Sequence, residues 1–302
     1  MPVGIPQLRA LVAVVDEGSF SAAATRLGIS QSAVSHAVAS LEQATGRPVL
    51  SRPGPPRTTV LGEQVLAQAR VAVTAVRAVE ELAARRDGHP SGSIALAAPP
   101  TVCHALVPAL LEQWRADFPG VAISLFEGED EEVAGWLDSA VADLAVLVDP
   151  PHVPDHAVVL DSDVFHAVLR ADHPLAAQDE LDVADLYDDD FLLSTGGCER
   201  AIREIHRGGA VPFAPIHRIR QLGTLFAMVR AGVGVSIVPG SAAGMVGPDV
   251  VLVPLRECTR RSLVLSGPLH RPWHPAATAL VRATSPVDRC SVGHDDPGWA
   301  RR

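Results

Sequence analysis

The chain has 302 residues, 47% of them hydrophobic and 20% charged, a balance that describes a folded globular protein with ample core and excludes a disordered one. The net charge is −10, yet residues 1–90 hold nine arginines against seven acids and the remainder sixteen against twenty-eight, about +2 and −12. A cationic head precedes an acidic body, so the sign of the whole chain does not exclude a polyanionic partner.

No apolar run reaches the roughly 20 residues of a membrane span, and the N-terminus lacks the basic opening of an export signal. Four cysteines (Cys103, Cys198, Cys258 and Cys290) show neither metal spacing nor the density of a disulfide framework. A reducing, cytoplasmic setting is expected, with no cofactor and no metal.

In chain order, Leu8, Leu11, Val12 and Val15 form one helical stripe, opened by Pro6 and stopped at Gly18. Ser21 is the expected N-cap of a second helix, Ala22 to Leu27, whose alanines permit close approach. Gly28 suits a sharp turn, and Ser30 caps a third helix with Val34, Val38 and Leu41 on its inner face. Gln31, Ser32, Ser35, His36 and Ala39 fall on the other face. Short hydrogen-bonding side chains there suit a helix entering the DNA major groove, although a solvated helical hairpin has the same spacing.

The run from "LRALVAVVDEGSF" through "SQSAVSHAVASLEQATGRPVL" to "TTVLGEQVLAQA" resembles the winged helix-turn-helix of the LysR-type transcriptional regulators. The resemblance rests on Gly18-Ser19-Phe20, Ser30-Gln31, Ala33-Val34-Ser35, Leu41-Glu42, Gly46, Arg52 and the Thr59…Gly62 pair. It implies that Gln31, Ser32, Ser35 and His36 face bases while Arg52 and Arg57 meet phosphates from the wing. Ser32, His36, Leu50 and the proline-rich "PGPPR" depart from the family's habits and bear on the target sequence.

Leu61, Val65, Ala69, Ala72, Val76, Val79 and Ala83 recur at three- and four-residue steps in a long helix. The narrow seam suits pairing with a second copy, and the resemblance implies a dimerisation helix, with a homotetramer as the expected assembly. "DGHPSGS" reads as a hinge.

Beyond it, "SIALAA", "VAISLFE" and "DLAVLV" read as buried strands, with "HALVPALLEQWRADF" and "DEEVAGWLD" as helices between them. "VFHAVLR", "FLLS", "VSIVP" and "VVLVPL" repeat the theme, and "SLVLSGPLH" returns the chain to the first half. Two Rossmann-like α/β subdomains with a cleft between them are expected, resembling periplasmic binding proteins and the effector domain of the same family ("FPGV", "DLAV", "DHPLA", "MVRAGVGVSIVP"). The expected division is a DNA-binding domain at 1–60, a linker helix at 61–87, a hinge at 88–92 and an effector domain at 93–286. Within that domain, subdomain I takes about 93–162 and 267–286, subdomain II about 163–266, and 287–302 is a loose tail.

Ligands of such folds sit outside the carboxyl ends of strands. Two segments qualify: Pro100, Thr101 and Val102 before one helix, and Ser194, Thr195, Gly196, Gly197 and Cys198 before another. Leu147 offers an apolar wall or plain core packing. Facing helix N-termini suit a small anion. Cys198 sits where a thiolate is stabilised and resembles the reactive cysteine of the family's peroxide-sensing branch, without a second cysteine nearby. The expected function is a DNA-binding regulator, not an enzyme, tuned by a small anionic effector. A thiol-based regulator is the alternative and a solute-binding protein a remote one. HExxH, P-loop and nucleophile-elbow motifs are absent from the sequence.

Overall fold

The structure, a computed structural model, describes residues 2–51, 54–84, 90–256 and 259–284. Arg52, Cys258, Cys290 and the expected tail lie outside the described residues.

Three helices form the head: α1 (Ile5–Glu17), α2 (Phe20–Leu27) and α3 (Gln31–Thr45). The α3 stripe meets the core as read, with Val34, Val38 and Leu41 buried, but α1 is turned from its expected stripe: Ala10, Leu11, Ala13 and Val14 are buried, Leu8 and Val15 only flank the core, and Val12 lies outside it. The N-cap of α2 is Ser19 rather than Ser21, its hydroxyl accepting from the Ala22 N–H at 3.1 Å, so the helix starts two residues earlier. Gly28 ends α2 at φ +66°, a left-handed conformation that glycine adopts without strain. Ser30 caps α3 by accepting from the Ala33 N–H at 3.2 Å.

A short wing follows, closed by an antiparallel bridge between Leu50 and Thr58. Glu42 holds its base, one carboxylate oxygen accepting from the N–H groups of Val49 and Leu50 at 3.0 and 3.3 Å. Thr59 donates to the Pro48 carbonyl and accepts from the Gly62 N–H, fastening the wing to the start of the stalk helix α4 (Val60–Ala84).

The stalk packs along α1 of its own head: Val65 and Leu66 join the head's apolar cluster, Ala69 is buried beyond them, and Arg9 reaches Glu80 at 2.6 Å. Farther along, Val79 and Leu82 are 65% and 47% exposed. The apolar seam therefore serves the head first and stands open only toward its far end. That end is keyed to the next domain by one ion pair and one histidine–carboxylate contact. Arg77 meets the buried Asp143 at 2.8 Å, and Glu81 meets His274 at 2.8 Å.

The α/β body holds nine strands: β1 (Gly92–Ala98), β2 (Val121–Glu127), β3 (Leu144–Val148), β4 (Val158–Arg170), β5 (Phe191–Ser194), β6 (His217–Ile219), β7 (Val235–Pro239), β8 (Val250–Pro254) and β9 (Arg260–Ser266). Their order is β2-β1-β3-β9-β4-β7-β5-β6, with β8 on β4. The long β4 belongs to both lobes: its first half pairs with β9, its second half with β7 and β8. Because β9 pairs with β3 and β4, the chain re-enters the first lobe at Arg260, not at 267. Two apolar cores flank this crossing, one around Leu96, Trp114, Leu144 and Leu265, the other around Phe165, Leu193, Ile202 and Ile237.

The helices of the body are α5 (Pro100–Ala105), α6 (Val107–Asp117), α7 (Asp130–Asp138), α8 (Glu199–Gly208), α9 (Leu222–Arg230) and α10 (Pro275–Ala283). The expected single helix from His104 to Phe118 is thus two, broken at Leu106 because Pro108 brings no N–H to continue the ladder. β2 is an edge strand with Leu125 and Phe126 exposed, not the buried strand expected from its apolar run. No described helix is long and apolar enough to cross a membrane.

Gly62 offers a test of the wing attachment. A Cβ there would lie 1.9 Å from the Val49 carbonyl oxygen, a backbone atom with little room to retreat. Gly62→Ala is expected to destabilise the head by about 1–3 kcal/mol. Chemical denaturation followed by head-specific hydrogen exchange checks this; an unaltered midpoint would mean that the wing is not held by this contact.

Candidate functional site

The outer face of α3 is built by elimination. Its inner stripe is committed to the core, which leaves Gln31, Ser32, Ser35 and His36 exposed on one side, with no acid among them. Ser30 and Ser32 share a hydroxyl contact of 2.9 Å, placing one polar pair at the N-terminal end of the helix. Arg57 is exposed on the returning strand of the wing. Asp16 and Glu17 lie elsewhere and pair with Arg26 at 3.1 Å, Asp16 also with Arg70, while Glu42, near the far end of α3, is turned to the base of the wing. The exposed face at the start of α3 is free of negative charge, a condition for any contact with phosphates.

The second site lies where the lobes meet. Arg261 and Asp163, register partners on β9 and β4, form a buried ion pair at 2.9 Å with side chains 4% and 8% exposed. The same guanidinium donates to the hydroxyls of Thr101 at 3.0 Å and Ser241 at 2.8 Å. Asp163 also accepts from the Ser241 N–H. One cation thus ties together both crossing strands, the start of α5 in the first lobe and the turn after β7 in the second.

Farther out, the lobes touch through side chains that the sequence did not single out. Arg220 pairs with Glu129 and Glu132, and His104 donates to the Gly244 carbonyl at 2.9 Å. Asp130 reaches across from α7 to the Gly197 turn, where a Cβ would lie 2.6 Å from its carboxylate. Gly197, at φ +84°, is the residue that admits this approach.

The predicted ligand residues therefore divide. Thr195 and Gly197 line a groove of about 460 Å³ between the N-terminal end of α7 and one flank of α8, with Gly196 beside them. Thr101 is buried and held by Arg261. Ser194 is buried in β5, Val102 is fully enclosed in the first core, and Leu147 packs beside Val133 and Leu137. Pro100 opens α5 and is half-buried. Arg261, Asp163, Asp130 and Ser241 were missed. The available signal was Arg260-Arg261, two cations opening an otherwise apolar strand.

Burial governs the titrating groups here. It pushes the Asp130 carboxyl up, helped by Asp149, Glu129 and Glu131 and opposed by Arg261. It holds His166 low, against its bond to the Val164 carbonyl and the charge of Asp163. Burial also raises the Cys198 thiol to about 11, with Arg261 opposing and Asp130 and Asp163 adding to the rise. The expectation of a stabilised thiolate fails for that reason: Cys198 is at the N-cap of α8 but only 6% exposed. Cys103 is pushed up to about 12, chiefly by burial.

A helix-turn-helix with an acid-free outer face, a stalk and a two-lobed α/β domain are now in place. Residues 5–63 match the family described as bacterial regulatory helix-turn-helix protein, lysR family, and residues 87–286 match the LysR substrate binding domain. The chain belongs to the LysR family of transcriptional regulators. A LysR-family member is a DNA-binding transcriptional regulator with an effector-binding domain, and its family is one of regulators rather than enzymes. Among its relatives is a probable hydrogen peroxide-inducible genes activator of Mycobacterium avium, 30% identical over 245 residues, covering 79% of this chain and 78% of that one. A full-length OxyR point variant from Pseudomonas aeruginosa shares the fold at a TM-score of 0.74 and 24% identity, over 93% of this chain and 97% of that one. Full-length CbnR in complex with its target DNA does so at 0.67 and 21%, over 93% and 98%.

Two measurements probe the lobe junction. Asp163→Ala leaves a buried guanidinium unpaired and is expected to cost about 3–5 kcal/mol, whereas Asp163→Leu combined with Arg261→Met recovers most of it. Equilibrium denaturation compares them, and a harmless single variant would remove the pair from its structural role. For Cys198, a thiol near 11 leaves about one molecule in a thousand as thiolate at pH 8. Iodoacetamide should modify it at least about a hundredfold more slowly than a small free thiol, as peptide mass spectrometry can follow.

Proposed function

We propose that this regulator reads promoter DNA through Gln31, Ser32, Ser35 and His36, with Arg57 and Arg52 on phosphates, and that a small effector bearing an anionic group tunes this binding from the groove between the lobes. The observation that carries the first part is the exposed, acid-free face of α3 opposite a fully buried stripe. The groove supports the second part: it contains Arg207, which has no ion pair among the described residues, and it ends at the Thr195–Gly197 turn before α8.

A homodimer forms through the open end of the stalk, where Val79 and Leu82 present apolar surface, and a tetramer follows from further contacts between effector domains. The DNA partner sets a cytoplasmic location. An effector touching both lobes shifts their relative placement only by its unequal affinity for the two arrangements.

The thiol-based reading draws on the named activity of the Mycobacterium avium relative and on the position of Cys198 before α8. Its buried, raised thiol weighs against it, and the other cysteine among the described residues, Cys103, packs against the first-lobe core.

Fluorescence anisotropy on genomic fragments retained by the protein tests the DNA face. Gln31→Ala is expected to cost about 1–3 kcal/mol at one base pair and little at others. Arg57→Ala should weaken all sequences alike and lower the salt slope by about 1. Equal losses on every sequence from both variants would place Gln31 on the backbone instead of a base.

A further inference from the structure

The groove between α7 and α8 is lined by charges of both signs, and most of them are already spent. Glu199 is bound by Arg203 at 2.6 Å and Arg218 at 3.0 Å, Glu204 by Arg200 at 3.2 Å, and Glu129 by Arg220. Three groups make no hydrogen bond or ion pair among the described residues: the half-buried carboxylate of Asp130, against the Gly197 turn, and the solvent-exposed side chains of Glu131 and Arg207. Arg207 is the one unpaired cation among the residues lining the groove, since Arg200 and Arg203 are held by Glu204 and Glu199.

Asp130 has an ordinary explanation, since an acid in the first turn of a helix complements the dipole. That role is already filled by Glu131 and by Glu132, which closes the capping box with the Glu129 N–H at 2.9 Å. Asp130 instead turns across the gap between lobes, where burial works against its ionised form and three further acids, Asp149, Glu129 and Glu131, surround it. Arg261 is the one cation acting on it, and that guanidinium is committed to Asp163, Thr101 and Ser241. A carboxylate so placed destabilises the empty protein and is satisfied by a cation entering the groove.

We infer that the effector carries an amine held by Asp130 as well as an anionic group directed to Arg207: a small zwitterion. This rests on the groove being the effector site. A purely anionic ligand would leave Asp130 unneutralised and would bring a second negative charge beside it.

The test uses the full chain and isothermal titration with glycine, 4-aminobutanoate and 6-aminohexanoate, each zwitterion being matched by a carboxylate and an amine of the same length (acetate and ethylamine, butanoate and butylamine, hexanoate and hexylamine). At least one zwitterion is expected to bind about tenfold or more tightly than both of its matched partners. Asp130→Asn should reduce it to the level of the carboxylate, and Arg207→Gln to the level of the amine. If the carboxylates bind as tightly as the amino acids and Asp130→Asn changes nothing, the zwitterion inference falls while an anionic effector stands. If nothing binds, both fall.

Thermal melting of the empty protein supplies an independent readout. The folded-state carboxyl is raised above its unfolded value, so its ionisation costs stability at neutral pH and nothing once both states are protonated. Asp130→Asn should therefore melt higher than the parent at pH 7, with the difference vanishing as the pH falls below the ordinary aspartate range. A lower melting temperature at pH 7 would make Asp130 a helix-dipole residue and overturn the inference.

Discussion

A charged pair buried where two strands cross between lobes is a demanding thing to build, and much of the effector domain is arranged around it. Arg261 and Asp163 are taken out of water at the one place where β4 and β9 run from lobe to lobe. Such a pair is tolerated only when the remaining donors and acceptors find partners. Thr101 and Ser241 provide them, one from each lobe, so satisfying the pair fixes both lobes to the crossing strands. The apolar cores on either side hold each lobe rigid; the polar knot determines how the lobes meet. Its field then reaches the groove, where the Arg261 charge favours the ionised forms of Asp130 and Cys198 without overcoming their burial.

The head follows a different logic, because it has too few residues for a large core. Its stability comes from small side chains that let three helices cross closely, and from polar groups that close backbone ends. Glu42 and Thr59 both spend their side chains on the wing's backbone, and the stalk's first turns complete the apolar cluster. The acids gather on the side of α1 and α4, bound to Arg26, Arg70 and, through Glu80, to Arg9. Arg47 and Arg57 are exposed and make no ion pair among the described residues.

What the sequence made legible was periodicity. Val34, Val38 and Leu41, or the apolar runs that became β1, β3 and β7, are placed by burying apolar surface at a fixed repeat or in an unbroken stretch. Elements too short for a repeat were invisible: β6 is three residues, two of them polar. Pro108 was a readable break in the long helix, and Ser19 competed with Ser21 on equal chemical terms for the cap of α2. The residues lining the groove were half legible. Thr195 and Gly197 follow from the rule about strand ends, but Asp130 meets them from sixty-seven residues away, across a gap that only the folded lobes define. Burial decided the case of Cys198, since the same helix N-terminus that stabilises an exposed thiolate cannot offset the loss of solvent around a buried one.

The contacts joining the stalk to the first lobe set a mechanical gain. Arg77 meets Asp143, which also accepts from the Ala95 N–H of β1, and Glu81 meets His274 at the start of α10. The far end of the helix is thus clamped at two points a helical turn apart, with Arg9 of the head reaching Glu80 between them, while the wing joins the helix at its other end. A 25-residue helix is about 37 Å long. Over that length, a change of only about 5° in the helix direction at the first lobe corresponds to about 3 Å at the wing end, close to the rise of a single base pair. The stalk has the length of a lever arm: a small angle at the first lobe becomes a base-pair-sized displacement where the wing joins it.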